Sequence, residues 1–341
     1  MTLSIDDILE RVAWTEGERA GYNDRAARWE DMWKLKVFTQ TAKEAWAEGK
    51  EQVTLPEPYD VVNLALRLLS NTPSIDVPAE DVDADKDESA ERRQQFLAGL
   101  WHRSNREQRV NLVKSAAWMG LVRGRFVFDV RWIGDQLPKR LQGRRLPLLI
   151  RTLDPLACGV KYGPMGPIWA FHKYDDDRLS VLQRWPEMKD SVADKNGAKG
   201  DDDTLEVTDF WWSQEGSIWN AVLVDGQFAQ EPTETEYPDI PIIEGTGDDT
   251  PLADEEYKGL SILHGLDGVW QYKCRLASQM GTGLLWYFWP AITITNEDGL
   301  EVPDLDITPG TTTRLPRGTK VDVIQTSPNV PLAQAMMAQM E

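Results

Sequence analysis

The sequence is poor in the residue types that most often carry catalysis, and each scarcity narrows what the chain can be. Among its 341 residues only two are cysteine, Cys158 and Cys274, far apart in the sequence. Two such thiols make no disulfide framework, so buried free thiols in a reducing compartment are expected. The three histidines, His102, His172 and His264, stand isolated, and no Cys or His lies at zinc-ligand spacing. The phosphate-cradling pattern G-x-x-x-x-G-K-[ST] is missing, which excludes a nucleotide-driven motor of that class. The G-x-S-x-G elbow of serine hydrolases is missing too. No long apolar run is present: Leu284 to Ile294 is interrupted by Pro290 and Thr293 and falls well short of the ~18 residues of a membrane span. The N-terminus, MTLSIDDILERV, is acidic where a signal peptide is basic and apolar, so no signal peptide is expected.

Positive charge is scarce as well. Lys and Arg number 37 against 56 Asp and Glu, a net charge of -19. Such a chain repels phosphate, which argues against coating DNA or an anionic membrane. The same balance also keeps a surface soluble. What remains is ordinary for a globular protein, 41% hydrophobic and 27% charged, and the length allows two or more cores.

Taken along the chain, the periodicity predicts helices at both ends and strands between them. Ile8, Val12, Trp29, Trp33, Val37 and Trp46 recur at mostly helical intervals within residues 5–48, and Gly17 and Gly21 mark a break. Tryptophans at this spacing point to core or subunit interface before nucleotide stacking. Val61 to Ser70 is a second apolar helix, stopped by Asn71-Thr-Pro. Asp81, Asp83, Asp85 and Asp87 have the one-three-five spacing of a calcium loop, but Lys86 stands where glycine is needed and Arg92 where a bidentate Glu is needed. A solvated acidic loop is expected there, and no metal. A helix follows from Arg92 to Met119, with a break near His102 to Arg106.

The stretch 103–151 reverses the overall charge, with twelve Lys and Arg against three Asp and Glu. Arg123 to Ile133 alternates as a strand, its charges on one face and Phe126, Phe128, Val130 and Trp132 facing a core. Residues 152–257 lean the other way, with 24 acidic and 7 basic residues. DNA binding and a solvated face are both readings of the basic stretch. The favoured one is complementarity: in a ring of identical subunits a basic patch on one copy meets an acidic patch on the next. Arg123, Arg125 and Arg131 are the candidate residues of that contact. Ile168 to Tyr174 reads as a strand, Arg178 to Trp185 as a short helix, and 189–203 as an exposed loop. Leu205 to Trp212 and Ser217 to Val224 form a hairpin, and Asp225-Gly226 turns into a further strand. The fold class is α+β.

The end of the chain carries the strongest organisation. Gly259 to about Trp289 is a helix with Leu260, Leu263, Leu266, Trp270, Ala277, Met280 and Leu284 on one face, and Gly281-Thr-Gly283 is either a hinge or a break. Pro290 ends it, Ala291 to Thr295 alternate as a strand, Thr319 to Ile324 form a second, and a helix restarts after Pro328 and Pro331. Helix, WPAITI strand, LPRGTKVDVI strand and proline-flanked helix, in that order, resemble the stem, clip and second stem helix of tailed-bacteriophage portal proteins. Pro56 to Ser70 with Ile75-Asp-Val-Pro, and Asp239 to Glu244 just before the stem, are similar to that family too, so the likeness runs from about Pro56 onward.

The resemblance implies a portal-like architecture: a wing over 1–250, helical through 119 and β-rich from 120; a first stem helix within 251–289; a small α/β clip over 290–329; and the start of a second stem helix from 330 to 341. It implies a ring, typically of twelve subunits, at one vertex of a virion capsid, assembled in the host cytoplasm. Double-stranded DNA passes through it non-specifically during packaging and ejection. The partners implied are a terminase and later a tail adaptor at the clip, and capsid or scaffolding protein at the wing; no membrane, cofactor or enzymatic activity is implied. Portal chains continue into a tunnel loop and crown, which this sequence does not reach. Candidate DNA-channel residues are Lys258, Lys273 and Arg275, and candidate clip contacts are Asp304, Asp306, Arg314 and Arg317. The rival class is a carbohydrate-active enzyme or sugar-binding protein, with abundant carboxylates and a cleft lined by some of the 15 tryptophans.

Overall fold

The first helix, α1 (Ile5–Trp33), shows why this chain folds as it does. Ser4 caps it: its Oγ accepts from the Asp7 amide at 3.2 Å, and the Asp7 carboxylate accepts from the Ser4 amide at 2.9 Å. Ile8, Val12, Thr15, Arg19, Tyr22, Ala26, Trp29 and Met32 are buried, a stripe with steps of three and four that runs the whole length. Gly17 and Gly21 lie off that stripe, and the helix continues through both. The break expected there does not occur, because a cost of up to ~1 kcal/mol per glycine is small against an unbroken buried face.

The computed structural model describes residues 3–36, 53–69, 84–133, 148–189, 204–247, 258–288, 291–296 and 319–324. The chain divides into two units, one of residues 1–34 and 58–264, the other of residues 35–57 and 265–341. The arrangement is α+β.

In the first unit α1 is followed by α2 (Glu57–Leu69), α3 (Ala84–Gln108) and α4 (Leu112–Arg123). The break between α3 and α4 falls at Arg109, whose φ is +55°, and not at His102 to Arg106. Asn111 then caps α4 by accepting from the Lys114 amide. Seven strands and a short helix come next: β1 (Arg125–Trp132), β2 (Leu148–Leu153), β3 (Cys158–Gly163), β4 (Gly166–Asp177), α5 (Arg178–Arg184), β5 (Thr204–Gln214), β6 (Ser217–Val224) and β7 (Gln227–Thr235). An eighth strand, β8 (Ile242–Thr246), completes the unit. They make two antiparallel sheets, β2-β1-β8 and β3-β4-β5-β6-β7. Glu215-Gly216 and Asp225-Gly226, all four at positive φ, are the two-residue turns that the sequence signals.

The five-stranded sheet is covered on both faces. Phe171, Phe210, Trp212, Ala221 and Leu223 pack on Ile8 and Val12 of α1. On the other face Ala170, Trp211 and Ile218 pack against Val127, Leu153 and Ile242 of the smaller sheet. Further along that face, Leu205, Val207, Val222 and Val224 are covered by Val181 of α5 and Met188. Between these two apolar clusters the face is polar, with Asp209, Asn220 and His172 buried.

The second unit contains α6 (Asp267–Phe288), followed by the antiparallel pair β9 (Ala291–Asn296) and β10 (Thr319–Ile324). Residues 53–55 lie along α6. The Val53 amide donates to Ser278 Oγ at 2.8 Å, and Trp270 Nε1 donates to the Leu55 carbonyl at 2.9 Å. Trp270, Cys274 and Ser278, spaced by four, are the buried face of this helix. It starts eight residues later than expected from periodicity, because Gly259 and Gly265 have φ of +71° and +81°, which no α-helix contains. It runs without a break through Gly281 and Gly283.

Candidate functional site

The most distinctive chemistry lies inside the first unit, where the arginines of the basic stretch meet carboxylates of the same chain. On β1 the alternation is as expected, but its sense is reversed. Arg125, Val127 and Asp129 are buried, with exposures of 1%, 0% and 0%. Phe126 and Phe128 are half-buried: Trp101 of α3 packs edge-on against Phe128, and a Cβ added at Gly120 of α4 would lie 3.5 Å from the Phe126 ring. Trp132 is exposed.

Two clusters result. In the first, Glu244 of β8 accepts from Arg19 of α1 at 2.7 Å and from Arg125 at 3.3 Å, and the Arg125 guanidinium lies 4.2 Å from the centre of the Tyr22 ring. Burial pushes the Tyr22 hydroxyl pKa well up, against the pull of the two arginines. Beside it Arg123 bridges Glu30 of α1, 3.0 Å from its Nε, and Asp154. In the second cluster, Asp129 accepts from Arg131 at 2.6 Å and Arg151 at 2.7 Å, and Arg131 also reaches Asp209 of β5 at 2.6 Å. Asn220 donates to Asp209 at 2.8 Å and accepts from Gln230 at 3.0 Å. Each cluster pairs as many carboxylates as guanidinium groups, so neither holds a surplus charge that calls for an ion.

His172, opposite Asp209 across β4 and β5, is stacked on Tyr174 with ring centres 4.6 Å apart. Burial, helped by the nearby Arg151, lowers its pKa to about 4. Its Nδ1 has no hydrogen-bond partner. The imidazole is therefore neutral at neutral pH. Among the described residues no three His, Cys, Asp or Glu converge as a metal set. Cys158 and Cys274 are free and buried, and burial raises both thiol pKa values.

These contacts correct the candidate subunit interface. Arg123, Arg125 and Arg131 do not present their charge outward: their side chains are 10%, 2% and 19% exposed, and each is engaged within the subunit. For these three arginines the pairing is intramolecular, because burying a guanidinium is tolerable only with a carboxylate against it.

The candidate channel residues separate. Lys258 precedes α6, and its carbonyl accepts from Arg125 Nε at 3.2 Å, so it is not a stem-helix residue. Lys273 is on α6 with its Nζ 3.9 Å from Glu57. Arg275 is on α6 and exposed. Asp304, Asp306, Arg314, Arg317, the second stem helix and residues 81–83 of the acidic calcium-like stretch lie outside the described residues; from Ala84 onward that stretch is the start of α3, so Asp85 and Asp87 are on a helix and not in the expected loop. Trp29, Trp211, Trp212 and Trp270 are core residues, which removes them from any sugar cleft.

One surface feature was not singled out from sequence. Trp132, Glu236, Tyr237 and Pro238 line an open hollow of about 550 Å³. Tyr237 is fixed there: its hydroxyl accepts from the Trp132 amide at 2.6 Å and donates to the Trp132 carbonyl at 3.3 Å, while its ring meets Trp211 edge-on. The Tyr-Pro-Asp turn in an acidic run was the available signal.

No family model matches the chain, and no curated protein does. Among the described residues no helix is long and apolar enough to cross a membrane.

Proposed function

We propose that this chain is the subunit of a portal-type ring, a channel at one capsid vertex through which double-stranded DNA is packaged and later ejected. The reading assigns 1–250 to the wing, 251–289 to the first stem segment with α6 as its helix, 290–329 to the clip, and 330–341 to the start of a second stem helix. Terminase and then a tail adaptor dock at the clip, and capsid or scaffolding protein binds the wing.

The observation that supports it most is on α6. The helix is about 33 Å long at 1.5 Å per residue, enters β9 within three residues of its end, and belongs to a unit separate from the β-rich body. One face is buried through Trp270, Cys274 and Ser278, yet Val269 and Tyr272 on another are 56% and 61% exposed. A second apolar stripe on a helix already packed along its first is what a subunit interface requires. The acidic balance of the chain fits a channel that lets DNA slide.

Electron-microscopy class averages of the purified protein test the reading. Rings with a central opening are the expected result. A homogeneous monomer at micromolar concentration would end it.

A further inference from the structure

We infer that the polar seam between the two sheets of the first unit is an acid-sensitive latch: a proton taken up by His172 drives Arg151 out of the seam and loosens the strand β2. The inference does not depend on the ring reading. It rests on what surrounds the imidazole, on the charge count of the seam, and on which member can leave.

His172 stands in a row across the large sheet, directly opposite Cys158 of β3 on one side and Asp209 of β5 on the other. Tyr174, its neighbour along β4, is stacked on it and accepts from Arg184 of α5 at 3.1 Å. From the small sheet come Asp129 and Arg131 of β1 and Arg151 of β2, the Asp129 and Arg151 backbones being register partners. Lys173, the next residue of β4, belongs to the other face, where it meets Glu16 and Glu206.

The charges of the seam balance only while the imidazole is neutral. Asp129 and Asp209 face the guanidinium groups of Arg131 and Arg151. His172 is 8% exposed and its Nδ1 has no partner, so no group is already placed to accept from a proton added there. Asp209 is occupied by Asn220 and Arg131. A proton on His172 therefore sets three cations against two carboxylates out of contact with water, and a buried surplus charge is relieved by moving one of them into solvent.

Arg151 is the cation that can move. Arg131 is 19% exposed, bonds both carboxylates and lies over the Trp211 ring, whereas Arg151 is 33% exposed and holds Asp129 through its Nε at 2.7 Å. It is also the charge that, after burial, does most to keep His172 unprotonated, so repulsion on protonation falls chiefly on it. A long arginine side chain carries its head group into water while its stem stays on the protein. Among the described strands β2 pairs with β1 alone, and only Leu153 of it is fully buried, so losing Arg151 removes its main anchor in the seam. The imidazole titrates at about 4, so the latch is closed at neutral pH and opens as pH falls toward that value.

Hydrogen exchange read by mass spectrometry tests this on the full chain at pH 7, 5.5 and 4, with labelling times scaled for the intrinsic pH dependence of amide exchange. Peptides covering β2 are compared with peptides covering β6, which lies inside the large sheet, in the wild type, His172→Gln and His172→Lys. In the wild type, exchange of β2 should rise about tenfold or more relative to β6 between pH 7 and 4. His172→Gln, which takes up no proton, should keep β2 protected over the same range, and His172→Lys should show the open β2 already at pH 7. Loss of protection in β2 and β6 together in the wild type would mean general acid unfolding and would overturn the latch. Equal opening of β2 in His172→Gln would overturn it as well, and that comparison decides the matter alone if thermal melts show His172→Lys to be unfolded.

Discussion

Arg131 of β1 and Asp209 of β5 meet at 2.6 Å inside the protein and tie the small sheet to the large one. Asp209 is 5% exposed and also accepts from Asn220, and Arg131 lies over the Trp211 ring at 5.2 Å. Replacing Asp209 by Ala leaves Arg131 with Asp129 alone and takes from Asn220 its side-chain acceptor. The expected cost is about 3 to 5 kcal/mol, since a buried charge that loses its partner retains its desolvation penalty. The paired change Arg131→Met with Asp209→Leu should cost clearly less, because both charges leave together. Urea unfolding of the three proteins measures this. An Asp209→Ala protein within about 1 kcal/mol of wild type would show that the pair does not join the sheets.

His172 should make stability depend on pH in a definite window. Its folded pKa is about 4 and its unfolded value near 6.5, so the unfolded chain binds the proton more readily. The stabilisation is fully present above pH 6.5 and is lost as pH falls toward 4. The size is of order 3 kcal/mol across the window. Glu30 adds to the loss at lower pH. Burial favours its neutral acid, but hydrogen bonds and charge from Lys34 and Arg123 together outweigh this and lower its pKa. Unfolding free energies at pH 7.5, 6 and 5 should fall steeply for the wild type and less for His172→Gln. Identical slopes would mean that His172 titrates normally in the fold.

The elements whose signal is local were legible in the sequence, and the pairings across distance were not. The helical recurrence of Ile8, Val12 and Trp29 announces α1, and Asp225-Gly226 announces its turn. The alternation of Arg125 to Trp132 gives a strand, yet nothing local says which face is inward. That depends on Glu244 and Asp209, which lie 119 and 78 positions from their arginine partners and supply the carboxylates that let the charged face be buried. The hollow has no local signal for a related reason. Trp132 alternates in step with Phe126 and Phe128, and only the point where β8 leaves β1 makes its indole exposed. Charge is usually outward, which is what the sequence implies for Arg123, Arg125 and Arg131, and in the structure the exception is met by pairing.

Two glycines of similar appearance should respond to alanine with opposite sign. Gly17 sits in the interior of α1, and a methyl group added there would meet nothing within 4 Å, so Gly17→Ala should stabilise by about 0.5 to 1 kcal/mol. Gly124 ends α4 at φ +78°, and a Cβ there would lie 2.0 Å from the Gly259 carbonyl oxygen. Gly124→Ala should cost well over about 1 kcal/mol from the left-handed backbone alone, with the clash in addition. Melting curves of the two variants decide it. A shift of the same sign in both would be inconsistent with the close approach of residues 124 and 259.

The exposed stripe of α6 gives the sharpest test of assembly. Val269 and Tyr272 stand one turn apart, while Trp270, Cys274 and Ser278 face residues 53–55 of their own chain. Replacing Val269 and Tyr272 by Ser removes apolar surface of which the subunit leaves more than half exposed, so monomer stability should fall by no more than about 1 kcal/mol. If the stripe is covered in a ring, the same change should shift the assembly equilibrium strongly toward monomer, since burying each such side chain contributes about 1.5 to 3 kcal/mol and the loss recurs at every interface. Trp270→Ala is the opposite control: it should destabilise the unit itself, because the indole is 3% exposed and donates to Leu55. Mass photometry and thermal melts on the same samples separate the two effects. Rings that persist with both serines in place would show that this face of α6 is not where copies meet.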